Sequence, residues 1–268
     1  MPDRYAVIGN PVAHSKSPWI HAQFARATGQ DIEYLRIEAP LDGFARTVDE
    51  LRAAGGRGAN VTLPFKEQAF RYCGALSARA QQARAVNTLL LERGAAYGDN
   101  TDGAGLLRDL TVNLGRTLAG ERVLLMGAGG AAQGVLGPLV ASGVARLVIA
   151  NRTPERARSL AARFPAGPLE VCGYDELAGQ SFDLVINATS AGLTGSLPAL
   201  PDGLFRAGAL AYDMLYGSDT AFLAFARAAG AATSDGSGML VEQAAESFYL
   251  WRGVRPATAG VLAALRAA

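Results

Sequence analysis

The sequence predicts an α/β protein of two domains with mostly parallel sheets, one of them a Rossmann-type nucleotide-binding unit. Three observations carry that expectation. Short apolar runs alternate with amphipathic stretches along the chain. An apolar run, a glycine turn and a helical pattern follow one another at residues 123–132. Finally, 268 residues exceed one typical domain and suffice for two cores.

In the first half, strands are expected at 5–9, 33–37, 58–61 and 88–91, with helices over 18–28, 41–54 and 65–71. A hairpin about Arg93-Gly94 is expected to return a strand at 95–98. Thr101 is a candidate N-cap and Asp102 a favourable first-turn acid for a helix running to about Leu114. The second series places strands at 123–126, 147–150, 183–187 and 210–213. Helices are expected over 130–142 and 220–229, and from Thr153-Pro154, where threonine caps and proline takes the first turn. Two last helices, 239–251 and 256–267, are too few for a domain and are expected to pack back on the N-terminal part. The resulting division is 1–101 with 236–268 as a substrate domain and 102–235 as a cofactor domain. The cleft between them is the expected active site.

Composition narrows the partners. Half the residues are hydrophobic, 18% are charged and the net charge is +1, so no basic field calls for nucleic acid or an anionic membrane. No apolar run reaches the roughly 18 residues of a membrane span, and the N-terminus lacks a signal-peptide pattern. Cys73 and Cys172 are too few for a disulfide framework, and with His14 and His21 they form no metal-binding spacing. A cytoplasmic, metal-free protein with a small-molecule partner is expected, as a monomer or homodimer. Of the 25 basic residues only Lys16 and Lys66 are lysine. Arginine keeps its proton in proteins whereas lysine can be tuned to release it, so a retained lysine is a candidate proton shuttle.

At the glycine turn, Gly127 permits the tight bend, Gly129 lets the backbone approach a pyrophosphate, and small Ala132 allows close helix–strand packing. The helix N-terminus then offers free N–H groups to phosphate. After the next strand NAD enzymes place an acid; here stand Asn151-Arg152-Thr153, with Arg156 four residues beyond Arg152. Residues four apart share a helix face, so both guanidiniums can address one phosphate, which points to the 2′-phosphate of NADP. Glu155 should lie off the other side of the first turn.

The N-terminal half carries uncharged polar residues at strand ends. They are Asn10-Pro11-Val12-Ala13-His14-Ser15-Lys16-Ser17-Pro18, Asn60-Val61-Thr62-Leu63-Pro64-Phe65-Lys66, Ala85-Val86-Asn87-Thr88 and Gly98-Asp99-Asn100-Thr101-Asp102-Gly103. Such residues suit a neutral, hydroxyl-rich ligand, with hydroxyls able to hold a carboxylate. Alternation turns Lys16 away from its flanking serines.

On these segments, together with Gly127-Ala128-Gly129-Gly130-Ala131, Asn151-Arg152-Thr153 and Gly236-Ser237-Gly238-Met239-Leu240-Val241-Glu242-Gln243, the chain resembles the shikimate dehydrogenase family nearly end to end. The resemblance implies reversible NADPH-dependent reduction of 3-dehydroshikimate to shikimate, in aromatic amino acid biosynthesis. It implies Lys66 as acid/base with Asp102 as partner, Ser15 and Ser17 on the substrate carboxylate, and Asn60, Thr62, Asn87 and Gln243 on its hydroxyls. Tyr216 would close the pocket. Gly127, Ala128, Gly129, Gly130, Ala131, Asn151, Arg152, Thr153 and Arg156 would bind NADP, with Met214 and Gly236 near the nicotinamide.

Two departures stand out. Arg84 replaces the family's usual glycine before Ala-Val-Asn-Thr, and the stretch 216–221 is a residue short and lacks its prolines. Rival readings are a quinate/shikimate dehydrogenase, opposed by Arg152 and Arg156; a methylenetetrahydrofolate dehydrogenase, less suited to the polar motifs; and a non-catalytic NADP sensor, which predicts a lost Lys66 or Asp102.

Overall fold

The computed structural model describes every residue except Arg93, Ala166, Ser190, Gly195 and Ala268. The chain divides into two compact units, Met1–Leu106 with Leu240–Ala268, and Leu107–Met239.

In the first unit Tyr5, Ala6, Val7 and Ile8 are all buried, the continuous apolar run of a strand covered on both faces. They lie in β1 (Asp3–Gly9), followed by α1 (Ser17–Thr28), β2 (Ile32–Glu38), α2 (Phe44–Ala53), β3 (Gly56–Val61) and α3 (Lys66–Tyr72). After these come β4 (Ala75–Leu76), α4 (Ala78–Ala83), β5 (Thr88–Leu90), β6 (Tyr97–Asp99) and α5 (Asp102–Arg108). The sheet order is β2-β1-β3-β5-β6-β4. β2 and β3 run parallel to β1, while β5 is antiparallel to both β3 and β6. β6 therefore points the same way as β1 and β3.

The second unit contains β7 (Arg122–Met126), α6 (Gly130–Ala141), β8 (Arg146–Ala150), α7 (Pro154–Ala161) and β9 (Leu169–Cys172). It continues with β10 (Phe182–Asn187), β11 (Phe205–Asp213), α8 (Ala221–Ala228) and β12 (Ala232–Ser234). All its strand pairs are parallel, in the order β12-β11-β10-β7-β8-β9. That is the doubly wound Rossmann order, and its direction reverses beside β7, where nucleotides bind in such sheets. The chain then returns to the first unit through α9 (Ser237–Arg252) and α10 (Ala259–Arg266). There Val241, Ala244, Phe248, Val261 and Leu262 pack with Ile20 and Phe24 of α1, while Phe44, Val48 and Phe65 pack in a separate core with β1 and β3 residues.

Several expectations are corrected. α2 starts at Phe44 because Pro40–Gly43 close a turn, Gly43 N donating to Pro40 O at 2.9 Å. α10 starts at Ala259, not at Pro256. The returning hairpin strand is Tyr97–Asp99, and Arg93 of the expected turn lies outside the described residues. β4, α4, β9 and β12 were not expected; all are too short for a clear period. The helix expected to reach Leu114 widens into a π-helical turn at Asp109–Asn113. There buried Asp109 accepts from the Tyr212 phenol at 2.6 Å.

Arg84 adopts a backbone conformation that favours glycine. It ends α4 in the left-handed region (φ 52°, ψ 33°), so the following Asn87 segment receives a glycine-like entry. For a side chain that backbone costs energy. Arg84→Gly is expected to stabilise the protein by about 1 kcal/mol in urea denaturation; an unchanged or lower midpoint would contradict this.

Candidate active site

Strand direction explains how distant polar segments meet. Residues following β1, β3 and β6 emerge from carboxyl ends at one edge of the sheet. Antiparallel β5 begins at that edge, so Asn87 reaches it from the amino end of its strand. The register aligns Asn60 with Thr88 and Thr88 with Asp99, making a polar row across three strands.

Lys66, the first residue of α3, places Nζ 2.5 Å from Asp102 Oδ2, with side chains 15% and 6% exposed. A cation at a helix N-terminus opposes the helix dipole, so the nearby carboxylate is the compensating charge. The other oxygen, Asp102 Oδ1, accepts from Asn87 Nδ2 at 2.8 Å. Asn87 also donates to Thr101 Oγ1 (2.9 Å), and its Oδ1 accepts from Thr101 N (2.8 Å) and Thr88 Oγ1 (2.9 Å). With donors and acceptor engaged, a ligand hydroxyl would have to displace one of these bonds to reach Asn87. Asn60 Nδ2 donates to Ser247 Oγ (2.9 Å), Asn87 O (3.2 Å) and Thr88 Oγ1 (3.3 Å), and Oδ1 accepts from the Tyr34 phenol (2.7 Å). What Asn60 retains for a ligand is the second lone pair of Oδ1.

Gln243 Oε1 joins the cluster, accepting from Thr101 Oγ1 and Asn87 Nδ2, each at 3.4 Å. Ser15 and Ser17 are buried, their hydroxyls 3.2 Å apart, while Lys16 between them is exposed; it sits with helical backbone just before α1, so strand alternation is not the reason. Thr62 is half-buried against Gly9, where a Cβ would strike its methyl. Thr101 does not cap α5 with its side chain: the hydroxyl turns to Asn87 and Gln243, and Asn100 Oδ1 accepts from Asp102 N (3.1 Å). Sequence reasoning placed Thr88 and Thr101 in the polar segments without a role at the site and missed Ser247, Tyr34 and Arg36 as members of this region. Ser247 could have been found, since it lies one helical turn from Gln243.

Behind the cluster Arg79 forks onto Asp99, Nε to Oδ1 at 2.7 Å and Nη2 to Oδ2 at 2.8 Å, and reaches Glu246 Oε1 at 3.1 Å. Burial raises the Asp99 carboxyl, but Arg79 and Ser77 outweigh it and hold the group below its ordinary range.

The second unit carries the cofactor motif. Gly127 turns at φ 106°, and a Cβ there would press on Ala188 O and Thr189 Cγ2, each at 3.2 Å. A Cβ on Gly129 would meet open space. The first turn of α6, with Gly130 and Ala131, has neither a side-chain cap nor an acid, and Ala132 is fully buried. Uncapped amides beside an exposed glycine fit a phosphate-bearing cofactor. Arg152, Thr153 and Arg156 are exposed just beyond β8. The shared-face argument is corrected: α7 begins at Pro154, so Arg152 lies in the preceding turn, where Asn151 Nδ2 donates to Thr153 O (2.8 Å). Nor does the Thr153 side chain cap α7. Glu155 pairs with Arg158 at 2.8 Å.

Met214 and Gly236 adjoin, Gly236 N donating to Leu215 O at 2.8 Å, and a Cβ on Gly236 would collide with the Met214 carbonyl. Tyr216 lies half-buried in the same turn after β11. Buried Asp213 shapes that turn by accepting from Thr220 Oγ1 (2.6 Å) and Leu215 N (3.0 Å). The shortened stretch closes with Gly217 at φ 73° and Thr220 capping α8. Among the described residues no three His, Cys, Asp or Glu side chains gather as metal ligands, and no helix is long and apolar enough to cross a membrane.

Three family models match: a shikimate dehydrogenase substrate-binding domain over residues 7–89, a shikimate/quinate 5-dehydrogenase domain over 109–194, and a shikimate 5′-dehydrogenase C-terminal domain over 236–266. A curated relative, shikimate dehydrogenase (NADP(+)) of Methylobacillus flagellatus, is 59% identical over 99% of this chain and 100% of its own length. Among solved structures, an Ael1 enzyme from Pseudomonas putida superposes with a TM-score of 0.92 at 50% identity, covering 98% of each chain. Shikimate 5-dehydrogenase from Thermus thermophilus, in complex with NADP(H) and shikimate, gives 0.88 at 37% identity over 99% of each chain.

Proposed function

The chain belongs to the shikimate dehydrogenase family, and from that premise we propose that it catalyses the reversible reduction of 3-dehydroshikimate to shikimate, with Lys66 moving the proton. It is an oxidoreductase that uses NADP. When bound, the cofactor supplies or accepts the hydride, so the protein's own task is orientation and the transfer of one proton.

The observation that carries the proposal is the pair Lys66 Nζ–Asp102 Oδ2 at 2.5 Å. As an ammonium, Lys66 has three donors. One is held by Asp102, which aims the group and balances its charge. Another can protonate the ketone oxygen as it becomes the alcohol; in the reverse direction the neutral amine takes that proton back. The buried hydroxyls of Ser15 and Ser17 suit the substrate carboxylate, and Asn60 Oδ1 can accept from a ring hydroxyl. In this reading Thr62 and Gln243 complete the substrate residues of the first unit. In the second unit, the uncapped start of α6 would hold the pyrophosphate, Arg152 and Arg156 the 2′-phosphate, and the Met214–Gly236 contact the nicotinamide end.

The test is to follow NADPH absorbance with purified protein, offering shikimate or quinate with NADP or NAD. Shikimate with NADP is the expected best pair; preference for quinate with NAD would replace this reading by its rival. Arg152→Ala is expected to weaken NADP binding about 10–100-fold, the loss of a charge-assisted hydrogen bond, and to leave NAD binding nearly unchanged. Equal losses for both cofactors would remove the phosphate argument.

A further inference from the structure

β2 is the edge strand of the first sheet, and its residues alternate between two environments. Leu35 and Ile37 pack against the core that holds Phe44 and Val48 of α2. Tyr34 and Arg36, two residues apart, point to the other face. The Tyr34 ring stacks on His21 of α1, centroids 4.3 Å apart and planes within 8°. Its phenol donates to Asn60 Oδ1 at 2.7 Å. Arg36 forks onto one backbone oxygen, the Ser15 carbonyl, through Nε at 2.9 Å and Nη2 at 2.7 Å.

Resting on the function proposed above, we propose that Tyr34 and Arg36 are positioning residues for the substrate: Tyr34 sets which end of the Asn60 amide faces it, and Arg36 fixes the serine segment that holds its carboxylate.

An asparagine amide is nearly symmetric in shape and opposite in polarity at its two ends. A phenol that donates selects the oxygen, and thereby turns Nδ2 toward Ser247 and Thr88. Burial pushes the Tyr34 phenol well above its ordinary range, against the pull of Ser17 beside it, so the group stays a donor. Burial likewise lowers His21 to about 3, opposed by Asn60, so the surface beneath the ring stays uncharged near neutrality. Without the phenol, the amide could rotate and present N–H where a substrate hydroxyl needs an acceptor. Arg36 acts on the other end of the substrate. Ser15, Lys16 and Ser17 lead into α1, and a two-pronged hold on the Ser15 carbonyl sets the direction of both hydroxyls. Guanidinium is suited to this because its donors form a rigid fork and its charge is permanent; lysine offers one donor at a time to the same oxygen.

Steady-state oxidation of shikimate by NADP, with thermal melting alongside, tests the proposal on wild type, Tyr34→Phe, Arg36→Lys and Arg36→Met. Tyr34→Phe preserves the ring on His21, so it should fold. Its KM for shikimate is expected to rise about tenfold, with kcat and the KM for NADP within about twofold. Arg36→Met should show the same split, and Arg36→Lys an intermediate rise. A merely structural role would lower the melting temperature and the active fraction while leaving KM in place. An unchanged KM for shikimate in folded Tyr34→Phe and Arg36→Met, beside an active wild type, would overturn the proposal. A wild type unable to oxidise shikimate would instead overturn the underlying function.

Discussion

Replacing Lys66 by alanine is expected to lower kcat about 10²–10⁴-fold, the usual contribution of a well-placed acid or base, while the Kd for NADPH stays within about twofold. The separation follows from where the groups sit. Lys66 belongs to the first unit, whereas the glycine turn, Arg152 and Arg156 belong to the second. The variant also leaves the nearly buried Asp102 carboxylate without its cation. Asn87 still donates to Oδ1, so the charge keeps one partner and the protein is expected to fold with reduced stability. Stopped-flow single-turnover measurement separates the proton step from binding, and a melting curve accounts for any loss of folded protein. A folded Lys66→Ala enzyme with near-normal single-turnover rate would remove the lysine from the mechanism.

The largest expected effect on stability comes from Arg79→Met. Asp99 is 4% exposed and Arg79 supplies both of its charged hydrogen bonds, so the substitution leaves a buried carboxylate without its countercharge, held only by Ser77 Oγ and Asn100 N. Breaking such a pair by removing one partner costs about 3–5 kcal/mol, measurable by urea denaturation. Arg79 also binds Glu246, on the helix that carries Gln243 and Ser247, so turnover with shikimate should fall as well. Adding Asp99→Asn should recover part of the lost stability, because no buried charge is then left unpaired. The pH dependence has a definite sign. The folded-state pKa of Asp99 lies below its unfolded value, so its stabilisation is complete above the unfolded pKa and is lost as pH falls through the folded one. Wild type should therefore lose stability in acid more steeply than Arg79→Met. Parallel acid limbs would show that this pair does not control the transition.

Much of the architecture was legible because its signals are local. Tyr5 to Ile8 read as a buried strand from their own composition, and β7, Gly127 and α6 read as a nucleotide turn within ten residues. The errors are local too. Thr101 and Thr153 occupy positions where threonine often caps a helix, yet Thr101 gives its hydroxyl to Asn87 and Gln243 and Thr153 makes no side-chain cap. A cap is one local bond competing with others that only folding brings within reach. Arg152 was grouped with Arg156 by helical spacing, but the helix starts at Pro154, after Arg152.

What the sequence by itself determined is the inventory: two α/β units, a glycine turn between a strand and a helix, and a lysine, an aspartate and paired serines in family motifs. Tertiary structure decided who faces whom. Lys66 meets Asp102 across 36 positions, and Asn60 meets Ser247 across 187. The antiparallel turn of β5 brings Asn87 to the same edge, where it orients Asp102. Backbone signals act over a turn of helix or a pair of strand residues and can be read in order along the chain. Hydrogen-bond partners are set by strand direction and register, which exist only once the sheet has formed.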